Sequence, residues 1–197
     1  FTPSIPIPLG VSRDLTLTAV SQPNRQPTDT PYILFIGRLI PRKGAAWFAE
    51  YVLPNLPSNF QFHVVGKVWD LTEAALLKRN PRVTILGYLD DAALREQRVK
   101  SLVVVMPNRS SPDGTDVEGF GIAAIEAAWD GIPLLASAIE GITDAVIDGE
   151  TGYLLPEGEP SFWVQAIVNI HAWSAQQRTD YATRASIKAR EYFTWHR

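Results

Sequence analysis

The sequence predicts an α/β fold, a Rossmann-like open parallel sheet with helices on both faces. Three observations carry that expectation. From Pro31 onward, short apolar runs alternate with stretches of helical pattern. Four of those runs end on a glycine or proline followed by polar residues. No internal repeat or low-complexity tract competes with one sheet, and 197 residues are enough for one substantial core.

Residues 1–30 read as a linker and connector. Pro3, Pro6 and Pro8 favour extended backbone, and the run SQPNRQPTDTP is polar and proline-bearing. Tyr32–Ile36 is the first predicted strand, and Gly37 opens a loop over 37–43 that leads into a helix at 44–53. A second strand at 62–65 stops at Gly66, and Leu71–Lys78 is helical in pattern. The third strand, 83–86, stops at Gly87; 92–99 has helical composition, and 102–106 is a fourth strand. A polar loop over 107–117 precedes an alanine-rich helix over 121–129, then a fifth strand at 132–136 and a short sixth at Tyr153–Leu155. Helices at 161–173 and 176–191 close the chain. The Rossmann-like domain is therefore expected over 31–175, with 176–197 as a closing helical region.

Composition excludes several functions. A net charge of -3 with no basic tail argues against a nucleic-acid partner, and the densest basic group, Arg38, Arg42 and Lys43, sits in a turn. Without cysteine there are no disulfides or thiolate metal sites. His63, His171 and His196 are scattered without metal spacing, and Asp113 and Asp116 in DGTD read as turn chemistry. DGETG at 148–152 reads as a structural turn. No apolar run reaches membrane-span length, and the first residues, FTPSIPIPLGVSRD, have neither a basic n-region nor an unbroken apolar h-region. The expected compartment is cytoplasmic.

The most informative run is DVEGFGIAAIEAAWDGIPLLAS, residues 116–137. Glu118 and Glu126 have seven residues between them and bracket a glycine-containing helix start. First-turn N–H groups around Phe120, Gly121 and Ile122 would face a diphosphate, where the helix dipole favours negative charge. Glu126 lies about one turn further in, and helical side chains lean toward the N-terminus, so its carboxylate could reach a vicinal diol such as a ribose. A surface helix with one glutamate at its dipole and one in solvent would carry the same letters, although Ile125, Ala127, Ala128 and Trp129 around Glu126 are apolar. Arg38 and Lys43 follow a strand and precede a helix, where they could clamp a diphosphate; a solvated basic turn is the alternative, with Arg42 its solvated member. Right-handed crossovers would gather Arg38, Lys43, Gly66, Tyr88 and Glu118 around one crevice. The six tryptophans read mostly as packing.

The runs ILFIGRLIPRKG, VVG, VTILGYL, DVEGFGIAAIEAAWDGIPLLAS and DAVIDGETGYLLP resemble, in order, the nucleotide-sugar-binding half of retaining glycosyltransferases of the two-Rossmann-domain (GT-B) architecture, family 4-like. The resemblance implies that Arg38 and Lys43 bind the donor diphosphate and that Glu118 contacts the transferred sugar. It implies Glu126 on the ribose hydroxyls, backbone amides at Phe120, Gly121 and Ile122 on sugar and phosphate, Gly66 at the nucleotide, and Tyr88 and Leu89 against the base. It further implies transfer with retention from a UDP- or GDP-sugar to a glycan, lipid or small acceptor, with no cofactor and no required metal. DVEG resembles phosphatidylinositol mannosyltransferase relatives and points toward GDP-mannose. The family's amino-terminal acceptor domain has no counterpart in this sequence, so the chain is read as the donor half, inactive by itself. Association with the inner face of a membrane through that missing domain stays open. So do a nucleotide-sugar epimerase or phosphorylase of the same architecture and a non-catalytic regulatory module. The KVWD loop after Gly66 departs from the small, glycine-rich loop of relatives.

Overall fold

The computed structural model describes residues 30–110, 121–139 and 141–193. In chain order its strands are β1 (Tyr32–Ile36), β2 (Gln61–Val65), β3 (Val83–Gly87), β4 (Val103–Met106), β5 (Leu134–Ser137) and β6 (Tyr153–Leu155). Its helices are α1 (Ala45–Trp47), α2 (Leu71–Lys78), α3 (Asp91–Lys100), α4 (Ile122–Trp129), α5 (Pro160–His171) and α6 (Ala175–Phe193). The strands form one sheet in the order β3-β2-β1-β4-β5-β6, every neighbouring pair parallel. The order runs outward from β1 to β3, then resumes on the other side of β1 with β4. That reversal between β1 and β4 opens a crevice beyond the carboxyl ends of the strands.

The strand pleat sorts the core into two layers. Ile33 and Phe35 of β1, Phe62 and Val64 of β2, and Val103 and Val105 of β4 pack with α1, α2 and α5. Leu34, Val65, Val104 and Met106 point the other way, against α4 and the end of α6, with Leu94 of α3 alongside. Because both faces are covered, β4 (VVVM) and β5 (LLAS) are buried along their whole length. Trp163 anchors α5 with no exposed surface, its ring edge-on to Phe48 at 6.1 Å and to Trp47 at 6.0 Å.

Two elements depart from the sequence expectation. The helix expected over 44–53 is broken into α1, a π-helical turn Phe48–Val52 and a 3-10 turn Leu53–Asn55. Pro54 has no N–H to continue the i to i−4 ladder, and its ring crowds the preceding turn. The Arg82 guanidinium takes over part of the capping, donating to the carbonyls of Leu53, Leu56 and Pro57. The fifth strand pairs over Leu134–Ser137 rather than 132–136, Pro133 lending its carbonyl to the Val104 N–H at its entry. The expected linker lies almost wholly outside the described residues. DGETG is a turn: Asp148 Oδ1 accepts from the Leu154 N–H, and Thr151 Oγ1 from the Ile147 N–H.

Glu73 on α2 is buried and accepts the Ala46 N–H at 2.9 Å, tying α2 to the first turn of α1. Burial pushes its carboxyl above the ordinary value of 4.5; the Ala46 bond partly offsets this, and the Asp70 charge adds to it. A carboxyl whose pKa is raised in the folded state stabilises fully below its unfolded pKa, and that stability is lost as pH rises through the folded value. Glu73→Gln keeps the acceptor and removes the charge. Urea denaturation of the variant should therefore show a smaller loss of stability between pH 4.5 and neutrality than the parent shows. Parallel pH profiles would mean that Glu73 is not the group responsible.

Candidate functional site

The carboxyl edge of the sheet is a hydrogen-bonded rim. The Gly66 N–H donates to Gly87 O, the Gly37 N–H to Val65 O, and the Leu39 N–H to Lys67 O, so the loops leaving β1, β2 and β3 are stitched together. Gly66 lies so close to β1, at φ 148°, that a Cβ there would sit 1.8 Å from Gly37 O. Across the reversal, the turn that ends β1's loop meets the loop leaving β4. Gly44 has φ 74°, and a Cβ on it would fall 1.9 Å from Pro107 O, while the Arg109 N–H donates to Arg42 O at 2.7 Å. No other residue type fits Gly44 or Gly66 without moving backbone. The β4 loop then continues to β6: Ser110 donates its N–H and its hydroxyl to Glu157, whose Oε1 is 3.4 Å from Arg109 Nε. Burial raises the Glu157 carboxyl, but the Ser110 bonds and the Arg109 charge outweigh it and hold the group below the ordinary value.

Both predicted cations lie in this rim. Lys43 ends the 3-10 turn Pro41–Lys43 and is half-buried, its stem beside Gly37. Arg38 is exposed, its guanidinium 5.3 Å from the centroid of the Trp69 ring. Arg42 is half-buried rather than solvated, because its carbonyl holds the β4 loop. Tyr88 is exposed under the Lys67 ammonium, 5.5 Å from its ring centroid, and Leu89 is half-buried against the second core layer. Trp69, Tyr88, Arg38 and Lys67 therefore form a cation-aromatic ledge over β1 to β3. Nothing local in the sequence announces that ledge: the tryptophans read mostly as packing, and KVWD stands out only as a departure from relatives. Trp47, Trp129 and Trp173 are partly buried and Trp163 fully so, whereas Trp69 is 64% exposed.

On the opposite side of the crevice, α4 starts at Gly121 without a side-chain cap. Gly121 is buried at an ordinary φ of -74°, and its value there is room: a Cβ would press on Met106 and Ala145. Ile122, the first helical residue, is exposed. Glu126 is not in solvent. Its Oε2 accepts from Arg98 Nη1 at 3.1 Å, while Arg98 Nε donates to Asp130 Oδ2 at 2.7 Å and Arg95 Nε to Asp130 Oδ1 at 3.0 Å. Glu118 and Phe120 lie outside the described residues, as do Asp113 and Asp116. Arg38, Lys43, Gly66, Tyr88 and Gly121 thus come to one edge, with Glu126 one turn along the helix that faces it.

Among the described residues, no group of three or more His, Asp or Glu is placed to hold a metal ion, and no helix is long and apolar enough to cross a membrane. His63 is half-buried and stacked on Tyr32, ring centroids 4.1 Å apart.

A family model described as glycosyl transferases group 1 matches residues 30–172. Among curated proteins, the phosphatidyl-myo-inositol mannosyltransferase of Mycobacterium leprae is 30% identical over 172 residues, covering 84% of this chain and 43% of that protein. Among solved structures, the sucrose-phosphate synthase of Thermosynechococcus elongatus superposes with a TM-score of 0.70 at 29% identity, over 85% of this chain and 42% of the other. Anabaena HepE in complex with UDP and glucose gives a TM-score of 0.70 at 22% identity, over 84% of this chain and 45% of the other, a likeness of fold. The chain spans less than half the length of the curated relatives it matches.

Proposed function

This chain belongs to the glycosyl transferases group 1, and from that premise we propose that it is the donor-binding domain of a retaining glycosyltransferase, moving a hexosyl group from a UDP- or GDP-sugar to a glycan, lipid or small acceptor. The observation that carries the reading is the crevice at the β1/β4 reversal, with Arg38 and Lys43 on one wall and the uncapped start of α4 on the other.

In this reading the two cations and the first-turn N–H groups around Gly121 and Ile122 hold the donor diphosphate. Glu126 accepts from the ribose hydroxyls, Glu118 from the transferred sugar, Phe120 contributes its amide, and Tyr88 and Leu89 flank the base. The bond from the anomeric carbon to the diphosphate oxygen breaks as the acceptor oxygen bonds to the same face of that carbon. The acceptor proton passes to the departing phosphate oxygen, and Arg38 and Lys43 stabilise the charge that accumulates on the leaving group. No metal is assigned a step, because the two cations occupy the electrostatic position a metal takes elsewhere. HepE was crystallised with UDP and glucose, which makes UDP-glucose the first donor to test, beside GDP-mannose.

Titration calorimetry of the 197-residue chain with UDP, GDP and their sugars is the direct test. One of the two nucleotides should bind weakly, and Arg38→Ala combined with Lys43→Ala should abolish the heat. The chain alone should not transfer sugar, since closure of a second domain is needed to position an acceptor and exclude water. Binding that ignores both substitutions would overturn the assignment.

A further inference from the structure

The buried Arg98 has no role in the reaction as described so far, yet it is the most deeply buried charged side chain among the described residues. It is 1% exposed and bridges α3 to α4, giving Nη1 to Glu126 and Nε to Asp130 while Nη2 stays buried without a hydrogen bond. Arg95 joins the group on the outer side, so among the described residues two guanidiniums face two carboxylates. Desolvating such a set costs several kcal/mol per ion before pairing is counted, and apolar side chains of similar volume would join two helices at lower cost. Helix packing alone is therefore a weak reason for an arginine here. What a guanidinium supplies and an apolar residue cannot is direction: its planar fork fixes the carboxylates it touches.

The geometry points to Arg98 as a positioning residue for ribose recognition: held at Nε by Asp130, it uses Nη1 to fix the rotamer of Glu126 so that the carboxylate is presented to the ribose hydroxyls of the donor. This inference rests on the reading of Glu126 as the ribose acceptor. Asp130 caps the carboxyl end of α4 and Glu126 lies four residues before it, so both carboxylates lie on the stripe facing α3. Arg98 reaches both from α3, and Arg95, one turn earlier, keeps Asp130 in place. A glutamate free to sample its three side-chain torsions would lose rotamer entropy on meeting a ligand; one already clamped has less to lose.

Calorimetric affinities for UDP against 2′-deoxy-UDP, and GDP against 2′-deoxy-GDP, decide it. In the parent chain the ribonucleotide should bind on the order of tenfold more tightly than its deoxy analogue, as expected for a hydrogen bond to a charged acceptor. In Arg98→Met that preference should collapse to within about twofold, while the deoxy analogue keeps most of its affinity through the diphosphate. Should Arg98→Met fail to fold, Arg98→Lys keeps the charge without the fork and carries the same comparison. A purely structural clamp would lower the melting midpoint and weaken both nucleotides alike, leaving their ratio intact; that result would overturn the inference. Equal binding of the two nucleotides to the parent chain would instead overturn the ribose role of Glu126. Loss of the preference in Glu126→Gln with its retention in both Arg98 variants would keep the Glu126 reading and refute Arg98.

Discussion

Arg38→Ala and Lys43→Ala are each expected to lower kcat of the complete enzyme by about 10²-fold, the usual loss for one preorganised electrostatic donor. The cost should fall more on kcat than on ground-state affinity for the donor, because charge on the diphosphate grows as the glycosidic bond breaks. Lys43 is held by its turn beside Gly37, so its ammonium is delivered by a fixed backbone. Arg38 is exposed and rests over Trp69, an attachment worth only about 0.5–1 kcal/mol at an exposed site, so it can leave the indole for a phosphate at little cost. Steady-state kinetics with and without EDTA provide the check. Near-normal kcat in both variants, or parent activity abolished by chelation, would remove these cations from the proposed mechanism.

Most of the sheet was legible in the sequence because buried parallel strands leave a local signature: apolar runs closed by Gly66, Gly87 and Pro107. The reversal at β1 and β4 was not legible there, because right-handed crossovers bring the loops to one edge without setting the order of the strands. The break in the first helix was also local, since Pro54 stands in the sequence, but the compensating cap comes from Arg82 on a different segment. The Arg98 cluster was not read, although Arg95 and Arg98 are spaced i,i+3 and Glu126 and Asp130 i,i+4, the offsets that align side chains on one helical face. Only the tertiary pairing of α3 with α4 turns those two local patterns into one site. Trp69 escaped for a related reason: a tryptophan is more often buried than exposed, and its partner Arg38 lies on a different loop, brought near by the Leu39 and Val68 bridge.

Gly44 sits where the turn after β1 meets the loop leaving β4, and Gly44→Ala should lower stability by about 2–5 kcal/mol. A left-handed backbone costs an alanine about 1–2 kcal/mol, and forcing an extra carbon into a filled space adds about 1–3 kcal/mol. At Gly44 the extra carbon would fall 1.9 Å from Pro107 O, and a backbone carbonyl cannot rotate away as a side chain can. Gly149 isolates the second contribution. It has nearly the same φ, 75°, but a Cβ there meets nothing within 4 Å, so Gly149→Ala should lose only the conformational part. The difference between the two variants in urea denaturation then measures the closeness of the β1 turn to the β4 loop. Because Pro107 leads directly to Arg109, whose N–H donates to Arg42 O, displacing it should also move the turn that carries Lys43 and weaken nucleotide binding. Gly149→Ala, in the turn between β5 and β6, should leave that binding unchanged. Should Gly44→Ala lose no more stability than Gly149→Ala and still bind UDP or GDP as the parent does, the close approach of Gly44 to Pro107 would not be what shapes the proposed diphosphate wall.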